Sequence, residues 1–358
     1  MSPAPLNSSP EALVLPVDHS SGEVASDYGD VRAEFEALVS DCGVYDLSGR
    51  VKIKLSGTDQ VRWLNGMVTN NIRDLGVNQG VYAFLLNPQG RILADLYAYN
   101  RNGSLVIDTD RSQLDKLLAI FDKYIIMDDV EVENLGDRLT AIGVAGPNVR
   151  NVWQAAGIEL PEQKPLQLAE LTWRDIQLTI VRSDHPSVES YEIWLGPEGV
   201  PSLWHALLKS GARPAGTTAL ELLRVAAGLP RYGLDIRERD LPQETEQDRA
   251  LHFAKGCYVG QEIVERIRSR GAVHRQFAGF DIQAQGGTVE LPAPGAKIQV
   301  DGKDVGELTS VACLPVANGE RPVALGYIRR EAAMAGKKVS AEGKELTVVR
   351  LPFIETKR

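Results

Sequence analysis

In the segment LHFAKGCYVGQEIVERIRSRG, residues 251 to 271, one cysteine lies among glycines and beside a lysine. Ile263, Val264 and Ile267 recur at helical spacing and Gly271 is a stop signal, so a helix is predicted to begin at Gly260 or Gln261. Cys257 then sits just before a helix N-terminus. The positive end of the helix dipole and the adjacent Lys255 both favour thiolate over thiol. Gly256 and Gly260 would let the backbone turn tightly and leave the sulfur accessible. The alternative is a small apolar side chain packed under the helix, as most free cysteines are. Cys42 and Cys313, at a predicted helix end and in a predicted barrel strand, read as core.

From Arg249 to Arg275 six cations (Arg249, Lys255, Arg266, Arg268, Arg270, Arg275) face only Glu262 and Glu265, in a chain of net charge -9. Such a patch suits glutamate carboxylates or phosphate, and equally a solvated helix face. Two acids stand out elsewhere. In RILADLYAYN, Ile92, Ala94, Leu96 and Ala98 share one face of a strand, which leaves Asp95 on the other beside Leu93, Tyr97 and Tyr99. In SYEIWLG, Glu192 and Trp194 alternate with Tyr191, Ile193 and Leu195. A carboxylate accepts two parallel donors, and a 2-amino-4-oxo pterin offers such a pair on one edge and a flat face for aromatic packing. Each acid could instead lie on a strand's solvent side.

The elements that must position these residues form an internal repeat of secondary structure. Strand VKIKL (51 to 55), in which Val51, Ile53 and Leu55 alternate with lysines, is followed by a helix near Asp59 to Met67. Then come strands VYAFLLN, RILADLYAYN and SLVIDTD, a helix carrying Leu114, Leu117, Leu118 and Phe121, and strand VEVENL. The order returns with LTAIGVAG, a helix from Pro147 to Ala156, strands LAELTWRD, IQLTIV and SYEIWLG, and a helix from Val200 to Leu208. After Gly271 short strands with turns at Asp301-Gly302 and Glu342-Gly343 predict a small antiparallel barrel. The expected division is a flexible lead-in (1–27), a first α+β unit (28–136), a second (137–270) and the barrel (271–358). Two units of this kind leave a cleft between them, where ligand sites are common.

The chain has 358 residues, 43% of them hydrophobic and 24% charged, which fits two or three globular domains. No apolar run is long enough to cross a bilayer, and the first Lys or Arg is Arg32, so neither a membrane helix nor an Arg-rich transit peptide is expected. A pI near 5.3 argues against a surface given over to nucleic acid. Three scattered cysteines fit a reducing, cytoplasmic setting and cannot supply four cluster ligands. HExxH and GxxxxGK[ST] motifs are absent, and no metal site is predicted.

From about residue 28 onward the chain resembles the YgfZ/GcvT superfamily. The resemblance is carried by GVYDLS (43–48), LNGMVTNNI with GVYAFLLNPQGRILADL, AGP (145–147), LRVAAGLPRYGLDI (223–236) and the terminal LPF. KGCYVGQE (255–262) resembles the signature of YgfZ-type folate-binding iron–sulfur cluster assembly and repair factors, whereas glycine-cleavage T-proteins have a related stretch without the cysteine. The resemblance implies a ring of three domains around a tetrahydrofolate site. It matches Glu192 to the acid that holds the pterin and Arg224 to an arginine near the folate. Asp95 is what remains of a T-protein acid pair, Ala94 replacing the other, and the T-protein RTGYTGEDGFEI run is reduced here to RSDHPSVESYEI. The implied function is a cytoplasmic tetrahydrofolate-binding factor for iron–sulfur client proteins, including tRNA-modifying ones. Cys257 would be its working thiol, and Asp95, Glu192, Arg224, Lys255, Gly256 and Gly260 would surround the ligand. The alternatives are a folate-dependent aminomethyltransferase-like enzyme and a non-catalytic RNA-contacting protein that touches tRNA.

Overall fold

The computed structural model describes residues 24–271, 273–283, 290–317 and 319–354. The first α+β unit runs α1 (Val31–Ser40), β1 (Gly43–Asp46), β2 (Arg50–Ser56), α2 (Gln60–Met67), β3 (Gly80–Leu86), β4 (Ile92–Arg101), β5 (Ser104–Asp110), α3 (Leu114–Tyr124) and β6 (Glu131–Asn134). The second runs β7 (Thr140–Ala145), α4 (Val149–Ala155), β8 (Leu168–Trp173), β9 (Ile176–Arg182), β10 (Ser190–Leu195), α5 (Val200–Lys209), β11 (Arg213–Pro214) and α6 (Thr217–Ala226), followed by irregular chain and α7 (Gln261–Arg270). Strands β12 (Arg275–Ile282), β13 (Lys297–Val300), β14 (Lys303–Val316), β15 (Gly319–Arg329), β16 (Lys338–Ala341) and β17 (Lys344–Val349) close into a barrel, β12-β15-β14-β13-β16-β17. Every paired neighbour in it is antiparallel. Both expected hairpin turns are present, with left-handed φ at Asp301 (50°), Gly302 (72°), Glu342 (48°) and Gly343 (74°).

Period-2 patterning sorts the side chains of both sheets. In the first sheet, β3-β4-β5-β2-β6, the residues Ile53, Leu55, Ala83, Leu85, Ala94, Leu96 and Ala98 face α2 and α3 and pack on Trp63, Leu117 and Phe121. In the second, β11-β1-β7-β10-β9-β8, Val144, Tyr191, Ile193 and Leu195 face α4 and α5 and pack on Trp153 and Trp204. The opposite faces meet each other, with Tyr99 and Val106 of the first against Ala141, Leu168, Val181 and Trp194 of the second. Backbone bonds stitch the seam, from Gly80 N to Leu166 O at 2.7 Å and from Leu168 N to Asn78 O at 3.0 Å.

Three features depart from the repeat as read. Strand β1, grouped by sequence with the first unit, pairs with β7 and β11 of the second sheet, and α1 packs with α6 against the barrel. In β4 the ladder runs Leu85↔Ala94 and then Leu86↔Ile92, so Leu93 is the extra residue of a bulge. A one-residue bulge reverses the alternation beyond it. Ile92 therefore joins the inner face with Phe84 and Leu86, and Leu93 packs on the helix side. Lys52, one of the lysines that alternate with Val51, Ile53 and Leu55, is fully buried as they are. The lead-in 1–23 lies outside the described residues, while the carbonyls of Ala25 and Ser26 accept from Thr217 and Thr218 N–H at the start of α6.

Candidate functional site

Asp95 lies on the inner face of β4, half-buried. Its Oδ2 accepts from the Tyr82 hydroxyl at 2.8 Å and its Oδ1 from Gln113 Nε2 at 2.8 Å, while Gln113 Oε1 takes the Asp95 N–H at 3.1 Å. The Arg249 guanidinium stacks 4.2 Å from the Tyr82 ring and pairs with Asp184. Between them the Tyr97 hydroxyl donates to Asp184 at 3.2 Å and accepts from Arg249 at 3.3 Å. Burial pushes both phenols up, Tyr97 against the opposing pull of Arg249. Burial works against the Arg249 charge, but Tyr97 and Asp184 outweigh it and hold the guanidinium protonated.

Glu192 faces the same inter-sheet space from β10. Its Oε2 accepts from Trp194 Nε1 at 3.0 Å. Burial raises its carboxyl and the Asp108 charge adds to that, while Lys52, Arg50 and the Trp194 N–H pull the other way. Arg50 grips Asp108 through Nε at 2.9 Å and a terminal nitrogen at 2.5 Å, and its Cζ lies 5.6 Å from the Tyr97 ring. One inter-sheet space thus joins Asp95, Tyr82 and Tyr97 to Arg50, Asp108 and Glu192. Its acceptor carboxylates stand among the rings of Tyr82, Tyr97, Tyr99 and Trp194, an acceptor set that fits a flat heterocycle with an N–H edge.

The remaining expected residues serve other ends. Arg224 spends all five N–H groups inside the protein: on Glu221 at 2.9 and 2.6 Å, the Leu229 carbonyl at 2.5 Å, Asp235 at 2.7 Å and Ser310 Oγ at 2.8 Å. It therefore clamps α6 and the 229–235 turn onto β14. Lys255 is buried, and its ammonium donates to the carbonyls of Asn65, Val68 and Asn70 at 2.6, 2.6 and 2.7 Å. Burial alone pulls it down to about 7. Three carbonyl acceptors oppose that pull and favour the charged form. Its protons are committed to the end of α2 and the turn beyond it. Helix α7 begins at Gln261 and stops at Gly271 as expected. Cys257 is exposed three residues ahead of the Gly260 cap. Gly260 is required twice over: its φ is 83°, and a Cβ there would meet Asn87 O at 2.5 Å. Gly256 has open space where a Cβ would go.

The cations of residues 249–275 do not form one face. Arg249 sits in the tyrosine cage, Lys255 in its carbonyl cage, and Arg275 pairs with Asp240 at 2.5 Å and Glu244 at 3.0 Å. Arg266 and Arg268 are exposed on α7. A cavity of about 790 Å³ lies where the 227–229 turn and residues 246–249 approach the barrel at 276–279, 333–335 and 348–352. Asp184 and Arg249 line it, so that ion pair separates the cavity from the Tyr82–Asp95 pair.

Residues 15–255 match the family described as GCVT N-terminal domain. The chain belongs to the GCVT family. Among its relatives are an aminomethyltransferase from Rubrobacter xylanophilus, 28% identical over 96% of this chain and 91% of that protein, and a chloroplastic candidate transferase from Arabidopsis thaliana, 26% identical over 95% and 80%. The crystal structure of the glycine cleavage system aminomethyltransferase T from Bartonella henselae shares the fold, with a TM-score of 0.81 at 24% identity over 91% of this chain and 90% of that one. For a GCVT-family chain, sequence reasoning singled out Asp95 and Glu192 of the inter-sheet space but missed Tyr82, Asp184, Arg50, Lys52 and Asp108. The alternation of VKIKL marks Lys52 as the partner of a face, and only Asp108 on the neighbouring strand makes that face an interior.

Proposed function

We propose that this GCVT-family protein binds a tetrahydrofolate between its two sheets and supports assembly or repair of iron–sulfur clusters in client enzymes. The observation that carries the folate half is the approach of Asp95 and Glu192 from different sheets to one aromatic-lined space. Glu192 would accept the paired N–H groups of the pterin edge, and the bound folate would supply a one-carbon carrier. The cluster half rests on Cys257, exposed within KGCYVGQE and outside the tyrosine cage, where a client cysteine, a sulfur species or a cluster in transit could reach it. Arg224, whose donors are all engaged, would position the 229–235 turn and not touch the ligand.

A second reading, aminomethyl transfer, is favoured by the names of the relatives and by Asp95 within the space. Against it, Ala94 faces the helix-side core, so Asp95 is the one acid of that dipeptide, and both its oxygens are already bonded. A deletion strain scored for iron–sulfur enzyme activities and for glycine cleavage separates the two. Loss of the first with retention of the second is expected, and the reverse selects the transferase. For the site itself, Glu192→Ala should weaken tetrahydrofolate binding by about 1–3 kcal/mol, the cost of an unpaired buried polar edge. Unchanged affinity by titration calorimetry would remove Glu192 from the site.

A further inference from the structure

On its Glu192 side, the inter-sheet space gathers two cations and two acids: Arg50 and Lys52 from β2, Asp108 from β5 and Glu192 from β10. Lys52 and Asp108 are both fully buried, with Lys52 Nζ 3.0 Å from Asp108 Oδ1. The contact is an ion pair by distance but is not aligned as a hydrogen bond, and neither atom has a hydrogen-bond partner among the described residues. Leaving a buried charge without hydrogen bonds is costly, so its retention calls for a role. Lys52 Nζ lies 5.0 Å from the centre of the Trp194 ring, and the Nε1–H of that ring donates to Glu192 Oε2 at 3.0 Å. The ammonium and Glu192 therefore share one indole, the first over its ring and the second at its N–H edge.

The set is neutral only when both acids are ionised. Asp108 is held ionised at close range: burial works to raise its carboxyl, but Arg50 and Lys52 bring it below the usual range. Glu192 has no direct cation and takes its electrostatic support at a distance. Among the described residues the other titratable groups that feel its charge are Tyr45 from β1 and Tyr99 from β4, both phenols pushed up by burial and therefore neutral. Removing one cation would leave a net negative set in a low-dielectric space, and the acid without a close partner would take up the proton.

We infer that Lys52 is a positioning residue for this site: it balances Asp108 so that Glu192 meets its ligand as a carboxylate, and so selects ligands presenting two adjacent N–H donors over those presenting a donor beside an acceptor. The identity of the ligand rests on the folate reading, whereas the charge balance does not.

The full-length protein, labelled with 13C at glutamate carboxyls and assigned through Glu192→Gln, is titrated by NMR without ligand. In Lys52→Met the Glu192 midpoint should move up by at least about one pH unit, and Lys52→Arg should return it toward the starting value. Asp108→Asn should move it down, a test that stands even if Lys52→Met does not fold. Calorimetry with 5-formyltetrahydrofolate across the same pH range should show the affinity midpoint following the carboxyl. Below that midpoint affinity falls by up to about tenfold for each pH unit. A Glu192 midpoint unmoved in both Lys52→Met and Asp108→Asn overturns the inference while leaving folate binding intact. A wild-type protein that does not bind the folate removes the folate reading, and the carboxyl titration still decides the role of Lys52.

Discussion

The three cysteines differ in ways that the chain's alternation alone would not separate. Cys42 is fully buried, and burial, with Asp41 adding, pushes its thiol up to about 12. Cys313 lies half-buried in β14, its thiol raised by burial and then by Glu320. Cys257 alone is exposed among the described cysteines. Iodoacetamide at neutral pH should therefore modify Cys257 in the folded protein, reach Cys313 slowly and with a rise toward alkaline pH, and spare Cys42 until denaturant is added. Mass spectrometry of the digested protein gives the order directly, and early labelling of Cys42 would contradict this packing. Lys255, two residues before Cys257, acts structurally, because three carbonyls of the first unit hold it and thereby anchor the whole KGCYVGQE segment.

At the scale of elements, two contacts set how the ligand-facing loops are held. Helix α7 enters against the β3–β4 turn, where Gly260 approaches Asn87 O and, reciprocally, a Cβ on Gly90 would meet Ile263 Cβ at 2.7 Å. Gly260→Ala combines a left-handed φ with a backbone clash and should cost roughly 2 kcal/mol or more. Gly256→Ala, with neither, should stay within about 0.5 kcal/mol in urea unfolding. The 183–188 loop that presents Asp184 is closed by His185, whose Nδ1 accepts from Ser187 and Val188 N–H at 3.3 and 3.2 Å. The imidazole is therefore neutral, and burial pulls it down from 6.5 to about 4. Because the folded state binds fewer protons than the unfolded chain between these values, stability is fully present above about 6.5 and falls with acid toward 4. The slope should reach up to about 1.4 kcal/mol per pH unit. His185→Gln should flatten that part of the stability profile measured by thermal unfolding.

Across the whole molecule, the two sheets and the barrel are held together by side chains that belong to none of them singly. Buried Asp235 accepts from Arg224 at 2.7 Å, Arg231 N at 2.9 Å, Thr309 Oγ1 at 2.5 Å and Ser310 Oγ at 2.7 Å. Thr309 is the unpaired residue at the register shift of β14 and Ser310 the next paired one, so this hub ties a barrel irregularity to α6 and to the turn beside the cavity. Asp235→Ala would remove one of the two carboxylates on Arg224, leaving it on Glu221, and would take the shared acceptor from Thr309 and Ser310, and should cost about 1–3 kcal/mol. Hydrogen exchange should show the loss concentrated in β14 and the 229–236 turn, with the helix-side core of the first sheet unaffected. Uniform loss across all three units would show that the barrel and the sheets unfold as one body.

The order of strands and helices was written in the chain because each element buries one face, and a buried face imposes its period on the sequence: VKIKL, SYEIWLG and the Leu117–Phe121 spacing each name their own inside. The same period placed Asp95 and Glu192 opposite their apolar neighbours, and the Gly271 stop and the Asp-Gly and Glu-Gly turns marked α7 and the barrel hairpins. Periodicity describes one element at a time and carries no information about what stands across from it. Only the tertiary structure moved β1 into the second sheet, flipped Ile92 through the Leu93 bulge, and turned the polar faces of two strands toward each other. That last step made Lys52 and Asp108 interior residues and gave Arg249 a tyrosine to stack on, while packing of the units spent Lys255 on carbonyls far away in sequence and brought Arg224 to Ser310 of the barrel. Charge that is adjacent in the chain was dispersed for the same reason: the partners of Arg249, Lys255 and Arg275 come from other segments, and pairing energy follows distance in space.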